Sequence, residues 1–101
     1  MKQNDIIGYE FLVLVKKGEA CFIATAPGVG GVYEEGDTAA EAVKNAAEAA
    51  CALFESRQKM GDLMTEDNQY LKVIRRPQRS ARIVPELSQP NGYSRVCLLS
   101  A

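Results

Sequence analysis

Histidine is absent from this chain, and so is tryptophan. Without an imidazole the usual general base is missing, and so is the commonest transition-metal ligand. Carboxylate–magnesium chemistry is untouched by that absence. Long apolar runs are missing too. Phe11 to Val15 is a run of five and Ala49 to Phe54 one of six, against ~20 for a membrane-spanning helix. The opening MKQNDIIGYE contains no signal-peptide core, so the expected location is the cytoplasm, with no membrane partner. Cysteine is scarce and odd in number. Cys21, Cys51 and Cys97 are far apart with no CxxC pair, and they read as small reduced apolar residues. Cys51, flanked by Ala50 and Ala52 and with no histidine to activate it, reads as packing rather than as a nucleophile. No internal repeat is visible.

What is present is an ordinary globular composition. The chain has 101 residues, 47% hydrophobic and 25% charged, which suits one domain with one modest core. The net charge of −1 conceals an asymmetry. Residues 1–70 hold six basic and twelve acidic residues, a net of −6. Residues 71–101 hold Lys72, Arg75, Arg76, Arg79, Arg82 and Arg95 against Glu86 alone, a net of +5. An acidic body suits a basic protein, and a basic arm suits nucleic acid.

Tyr9 to Lys16, YEFLVLVK, is rich in aromatic and β-branched residues and predicts a strand. Tyr9, Phe11, Val13 and Val15 fall on one face of it, Leu12 and Leu14 on the other. Lys16-Lys17-Gly18-Glu19 predicts a hairpin turn, and Ala20 to Ala26 a second strand. Pro27-Gly28 breaks that strand. Val29 to Glu34 predicts a third, shorter strand whose glycines mark a bulge or a close approach. A helix is expected from Thr38 to about Lys59, before Gly61, with Ala39, Val43, Ala46, Ala50 and Leu53 on its apolar face. After a polar connection, Tyr70 to Arg76 predicts a fourth strand. Pro77, Pro85, Pro90 and Gly92 punctuate an extended arm, and Tyr93 to Ser100 predicts a fifth strand.

This order predicts a two-layer α+β domain over residues 1–76 and a basic C-terminal arm over 77–101 with a strand at 93–100. If the fourth strand lies parallel beside the first, the crossover should be right-handed. One helix covers one face of a sheet. Leu12 and Leu14 are therefore the expected contact face of a homodimer or larger even homo-oligomer.

The start of the helix is the most informative stretch. In Gly36-Asp37-Thr38-Ala-Ala-Glu41 the Thr–Glu spacing is that of a capping box, in which Thr38 accepts from the amide of Glu41 and the Glu41 carboxylate returns to the amide of Thr38. Glu34, Glu35, Asp37 and Glu41 also complement the positive end of the helix dipole, and that reading is preferred to a metal site. Gly28-Val29-Gly30-Gly31 does not open directly into a helix, so it is not read as a phosphate cradle.

Pro27, Gly30, Gly31, the Gly36-Asp37-Thr38 turn and Glu41-Ala42 together resemble the HicB antitoxin family across about Tyr9 to Arg76. The resemblance implies a β-β-β-α-β domain with a partial ribonuclease H-like fold. It implies a protein that neutralises a small basic messenger-RNA-cleaving toxin of the HicA kind by covering its active surface. Many family members also carry a C-terminal DNA-binding domain, but the 25 residues after Arg76, with three prolines, leave no room for two well-formed helices. The strands offer only Glu10 and Glu19 as carboxylates, so no ribonuclease H-type catalytic site, metal or cofactor is expected. The alternative reading is a stand-alone module that binds DNA or RNA through Arg75, Arg76, Arg79 and Arg82.

Overall fold

A computed structural model describes residues 5–76 and 92–99. Its elements are β1 (Ile6–Lys17), β2 (Phe22–Thr25), β3 (Tyr33–Gly36), α1 (Ala39–Met60), β4 (Leu71–Arg75) and β5 (Gly92–Leu98). They form an α+β unit, an open antiparallel sheet of five strands with one helix. Hydrogen-bonded neighbours run β3-β2-β1-β4, and β5 also pairs with β1.

The register shows how one strand serves three partners. Glu10 pairs with Lys72 of β4 and with Val96 of β5, so β4 and β5 occupy opposite edges of β1. Leu14 pairs with Thr25 of β2 and with Gly92 of β5, so β2 and β5 are opposed as well. β2 and β4 therefore lie end to end along one edge of β1, with β5 along the other. The junction is tight: Leu12 N–H donates to the Tyr70 carbonyl at 3.0 Å, and a Cβ added to Gly28 would lie 3.0 Å from the Tyr70 backbone. β4 is antiparallel to β1, so the handedness rule for parallel crossovers does not arise.

α1 lies on the face of the sheet that carries Tyr9, Phe11 and Val13, all buried. Phe54 stacks on Tyr9 with ring centroids 4.2 Å apart and meets Phe11 edge-on at 5.5 Å. The helix buries Ala42, Val43, Ala46, Ala50 and Phe54. The expected stripe is thus rotated at both ends: Ala39 is only half-buried, and Leu53 is 38% exposed while Phe54 takes the core position. The small side chains along the stripe let the helix axis approach the sheet closely.

Both helix ends are closed. Thr38 is the N-cap in extended geometry, and its hydroxyl accepts from Glu41 N at 3.0 Å. The Glu41 carboxylate reaches one residue further back than a standard capping box, accepting from Asp37 N at 3.0 Å. At the other end Gly61 adopts φ +70°, and Asp62 N donates to the Arg57 carbonyl at 2.9 Å. Thr38→Ala should lower stability by about 1 kcal/mol. An unshifted urea midpoint would argue against this cap.

The glycine-rich third strand is displaced from its expected position. Residues 27–32 turn instead, with Val29 N–H donating to the Ala26 carbonyl at 2.9 Å and Gly31 at φ +85°. Val29 and Val32 are buried as anchors of this turn, and β3 begins only at Tyr33. Residues 77–91, with Arg79, Arg82 and the three prolines of the arm, lie outside the described residues, as do 1–4, 100 and 101.

Candidate functional site

The acidic residues converge where β3 runs into α1. Register places Tyr33 and Glu35 on the sheet face opposite the helix, beside Thr25 and Ile23, while Glu34 and Gly36 point to the helix side. Gly36 sits directly beneath the first helical turn: an added Cβ would lie 2.4 Å from Ala42 N. Asn45, one turn further along α1, donates to the Glu35 carbonyl at 2.9 Å and holds β3 against the helix. Glu35, Asp37 and Glu41 are exposed and Glu34 is half-buried.

Among the described residues none of these four carboxylates takes part in an ion pair; the pairs formed are Lys44–Glu48, Arg57–Asp62 and Lys72–Glu10. Tyr33 stands in the same corner with 56% of its surface exposed. The ring shares its face of the edge strand with Glu35, while Glu34 points to the helix side. Tyr33 is the residue that sequence reasoning missed. Its position beside Glu34-Glu35 was visible, but the third strand was expected over Val29 to Glu34 rather than Tyr33–Gly36.

The basic residues distribute differently. Arg75 lies on the helix side of β4. Its Nη2 donates to the Thr65 carbonyl at 2.5 Å, and its Nε and Nη1 are buried without a partner. Lys72 is buried on the opposite face, 3.8 Å from Glu10, whose carboxylate also accepts from the Ser94 hydroxyl. Arg76 and Arg95 are exposed. Arg79 and Arg82, the other two candidate arginines, lie outside the described residues.

Leu12 does not face water. It is 1% exposed within one chain, and Leu14 is half-buried. On that face the exposed large apolar side chains are instead Val96 and Leu98 of β5 and Tyr33 of β3. Among the described residues no three histidine, cysteine, aspartate or glutamate side chains are placed to hold a metal ion, and no helix is long and apolar enough to cross a membrane.

Tyr9 ties the core to the loop after α1: its hydroxyl donates to the Met64 carbonyl at 2.6 Å. Burial raises its pKa above 10.0, against the opposing pull of Arg57 and Arg75. The folded state therefore holds this proton more tightly than the unfolded state does. The associated stability is complete below about pH 10 and is lost as pH rises through the folded value. Tyr9→Phe should cost about 1 kcal/mol at neutral pH and should flatten the alkaline decline. Equal alkaline slopes for the two proteins would sink this assignment.

No protein-family model matches this chain, and neither does any curated protein or solved structure.

Proposed function

We propose that the chain is a HicB-type antitoxin built on a partial ribonuclease H-like domain, a protein without chemistry of its own. It binds a small basic messenger-RNA-cleaving toxin and covers its active surface. The observation that carries this reading is the acidic end of the sheet where β3 runs into α1: Glu34, Glu35, Asp37 and Glu41 have no cation partner among the described residues, and Tyr33 stands exposed on the same face as Glu35. A basic partner gains Coulomb attraction there on approach and an aromatic anchor on docking. The turn and cap residues that resemble the family, Gly36, Asp37, Thr38 and Glu41, build the same corner.

The nucleic-acid alternative draws less support. Arg75 is engaged within the fold and Lys72 faces Glu10, so neither offers a free cation to phosphate. Self-association through Leu12 is likewise not part of the proposal, because that side chain is already buried.

The test first seeks a small basic protein encoded beside this gene and then assays it with RNA cleavage as readout; a neighbourhood without one also counts against the proposal. Equimolar wild-type chain should abolish cleavage. Tyr33→Ala combined with Glu35→Lys should raise the concentration needed by ~10-fold or more, with an unchanged circular dichroism spectrum. Cleavage that continues in the presence of excess wild-type chain overturns the proposal.

A further inference from the structure

Two of the three cysteines meet across the core, although nothing in their sequence spacing announces it. Cys97 pairs with Tyr9 across the β5–β1 ladder, so its side chain lies on the helix side of the sheet next to the Tyr9 ring. Phe54 is stacked on that same ring at 4.2 Å. Cys51 lies three residues before Phe54, one turn back along the helix, and packs against the core. The two thiols lie close enough to influence each other's ionisation, across the seam where α1 packs on β5. Cys97 is buried and Cys51 half-buried, and both are free. Cys21 sits apart, in the β1–β2 turn beside Glu35.

We infer that Cys51 and Cys97 form a redox-sensitive pair, which a small-molecule disulfide converts into a cross-link tying the edge strand β5 to helix α1. The order of attack follows from accessibility. Burial first, and the neighbouring Cys51 thiol second, push the Cys97 thiol up to about 12, so Cys97 does not start the exchange. Cys51 is the thiol an oxidant can reach. It loses its proton and attacks one sulfur of the small disulfide, releasing one thiolate. Cys97 then loses its proton and attacks the Cys51 sulfur of the mixed disulfide, releasing the second thiolate. Two protein thiols are oxidised to one disulfide, the small disulfide is reduced to two thiols, and the two protons go to the two leaving groups.

The consequence concerns β5. Among the described residues this strand is held chiefly by its ladder to β1. Its side chains Tyr93, Val96 and Leu98 are exposed. A bond to α1 would tie it to the core. The inference is independent of the toxin-binding reading, because it concerns the strand on the far side of the sheet from β3.

The test exposes the full chain to oxidised glutathione and follows it by thiol titration, intact mass and peptide mapping. The free thiol count should fall from three to one. The intact mass should drop by about 2 Da, with a linked Cys51–Cys97 peptide and Cys21 still free. Amide exchange in β5 should slow and then recover on reduction. Cys51→Ser should leave Cys97 unmodified under the same treatment. A stable glutathione adduct on Cys51 with Cys97 still free, a thiol count unchanged at three, or modification of Cys97 in the Cys51→Ser protein would each overturn the inference.

Discussion

Replacing Gly36 with alanine is expected to lower stability by about 2–3 kcal/mol, which in a domain of this size moves the melting temperature down by roughly 10–20 °C. The cause is space rather than backbone conformation, since Gly36 is not among the positive-φ glycines. A Cβ at this position would lie 2.4 Å from Ala42 N, 2.9 Å from Ala42 Cα and 2.9 Å from the Glu41 carbonyl carbon. All three are backbone atoms in the first turn of α1, so no side chain can rotate away to make room. The helix start would have to lift from β3, straining the Asn45–Glu35 hydrogen bond and the cap at Thr38.

Two other glycines serve as controls. Gly30 has open space around its Cβ direction, so Gly30→Ala should be neutral or gain roughly a few tenths of a kcal/mol through the unfolded state. Gly31 has equal room but φ +85°, and alanine there should cost about 1 kcal/mol. Chemical denaturation of the three variants separates the mechanisms. A Gly36→Ala midpoint no lower than that of Gly31→Ala would mean that the close approach of β3 and α1 is absent.

The contrast among these glycines shows what was legible in the sequence. Gly30, Gly31 and Gly36 all carry the family resemblance, yet only Gly36 is wedged against another element. Local features were readable because their causes are local. Residues Tyr9, Phe11 and Val13 share one face because strand side chains alternate, and Thr38 caps because its hydroxyl reaches only the next turn. Features set by distant contacts were not readable. Nothing near Leu71 says that β4 will run antiparallel along the same edge of β1 as β2, because that placement depends on Gly28 passing under Tyr70. The expected extended segment from Val29 failed for a similar reason. Two buried valines separated by two glycines fit a strand on paper, but they also fit a turn whose two valines are anchored in the core.

The candidate site was legible in its charge and hidden in its shape. The acidic residues could be counted, and their role at the helix dipole anticipated. That Tyr33 would stand exposed on the same face as Glu35 follows only once β3 is known to begin there. The basic cluster went the other way. Arginines close in sequence suggested a shared surface, but alternation along β4 turns Arg75 inward, while Arg76 is exposed. Four arginines in eight residues are a patch only if the backbone presents them together.

Phe54→Ala should be among the most damaging substitutions in the chain, with a loss of about 3–5 kcal/mol. Phe54 is fully buried, and it is the helix side chain that contacts both Tyr9 and Phe11. Removing its ring leaves a cavity between α1 and β1 that neighbouring alanines cannot fill, because Ala46 and Ala50 have no length to give. Two aromatic contacts are lost as well, each worth about 0.5–1.5 kcal/mol beyond area. Leu53→Ala is the matched control. Helical spacing after Ala50 admits either position 53 or 54 to the core face, and only structure decides between them. With Leu53 38% exposed, its truncation should cost about 1 kcal/mol or less. Urea denaturation followed by far-ultraviolet circular dichroism gives both values, provided the two slopes agree. Equal losses for the two variants, or a larger loss for Leu53→Ala, would mean that α1 is rotated about its axis from the orientation described. Such a rotation would also carry Cys51 away from Cys97, since Cys97 is fixed by its pairing with Tyr9 and Cys51 is placed by Phe54 resting on the Tyr9 ring.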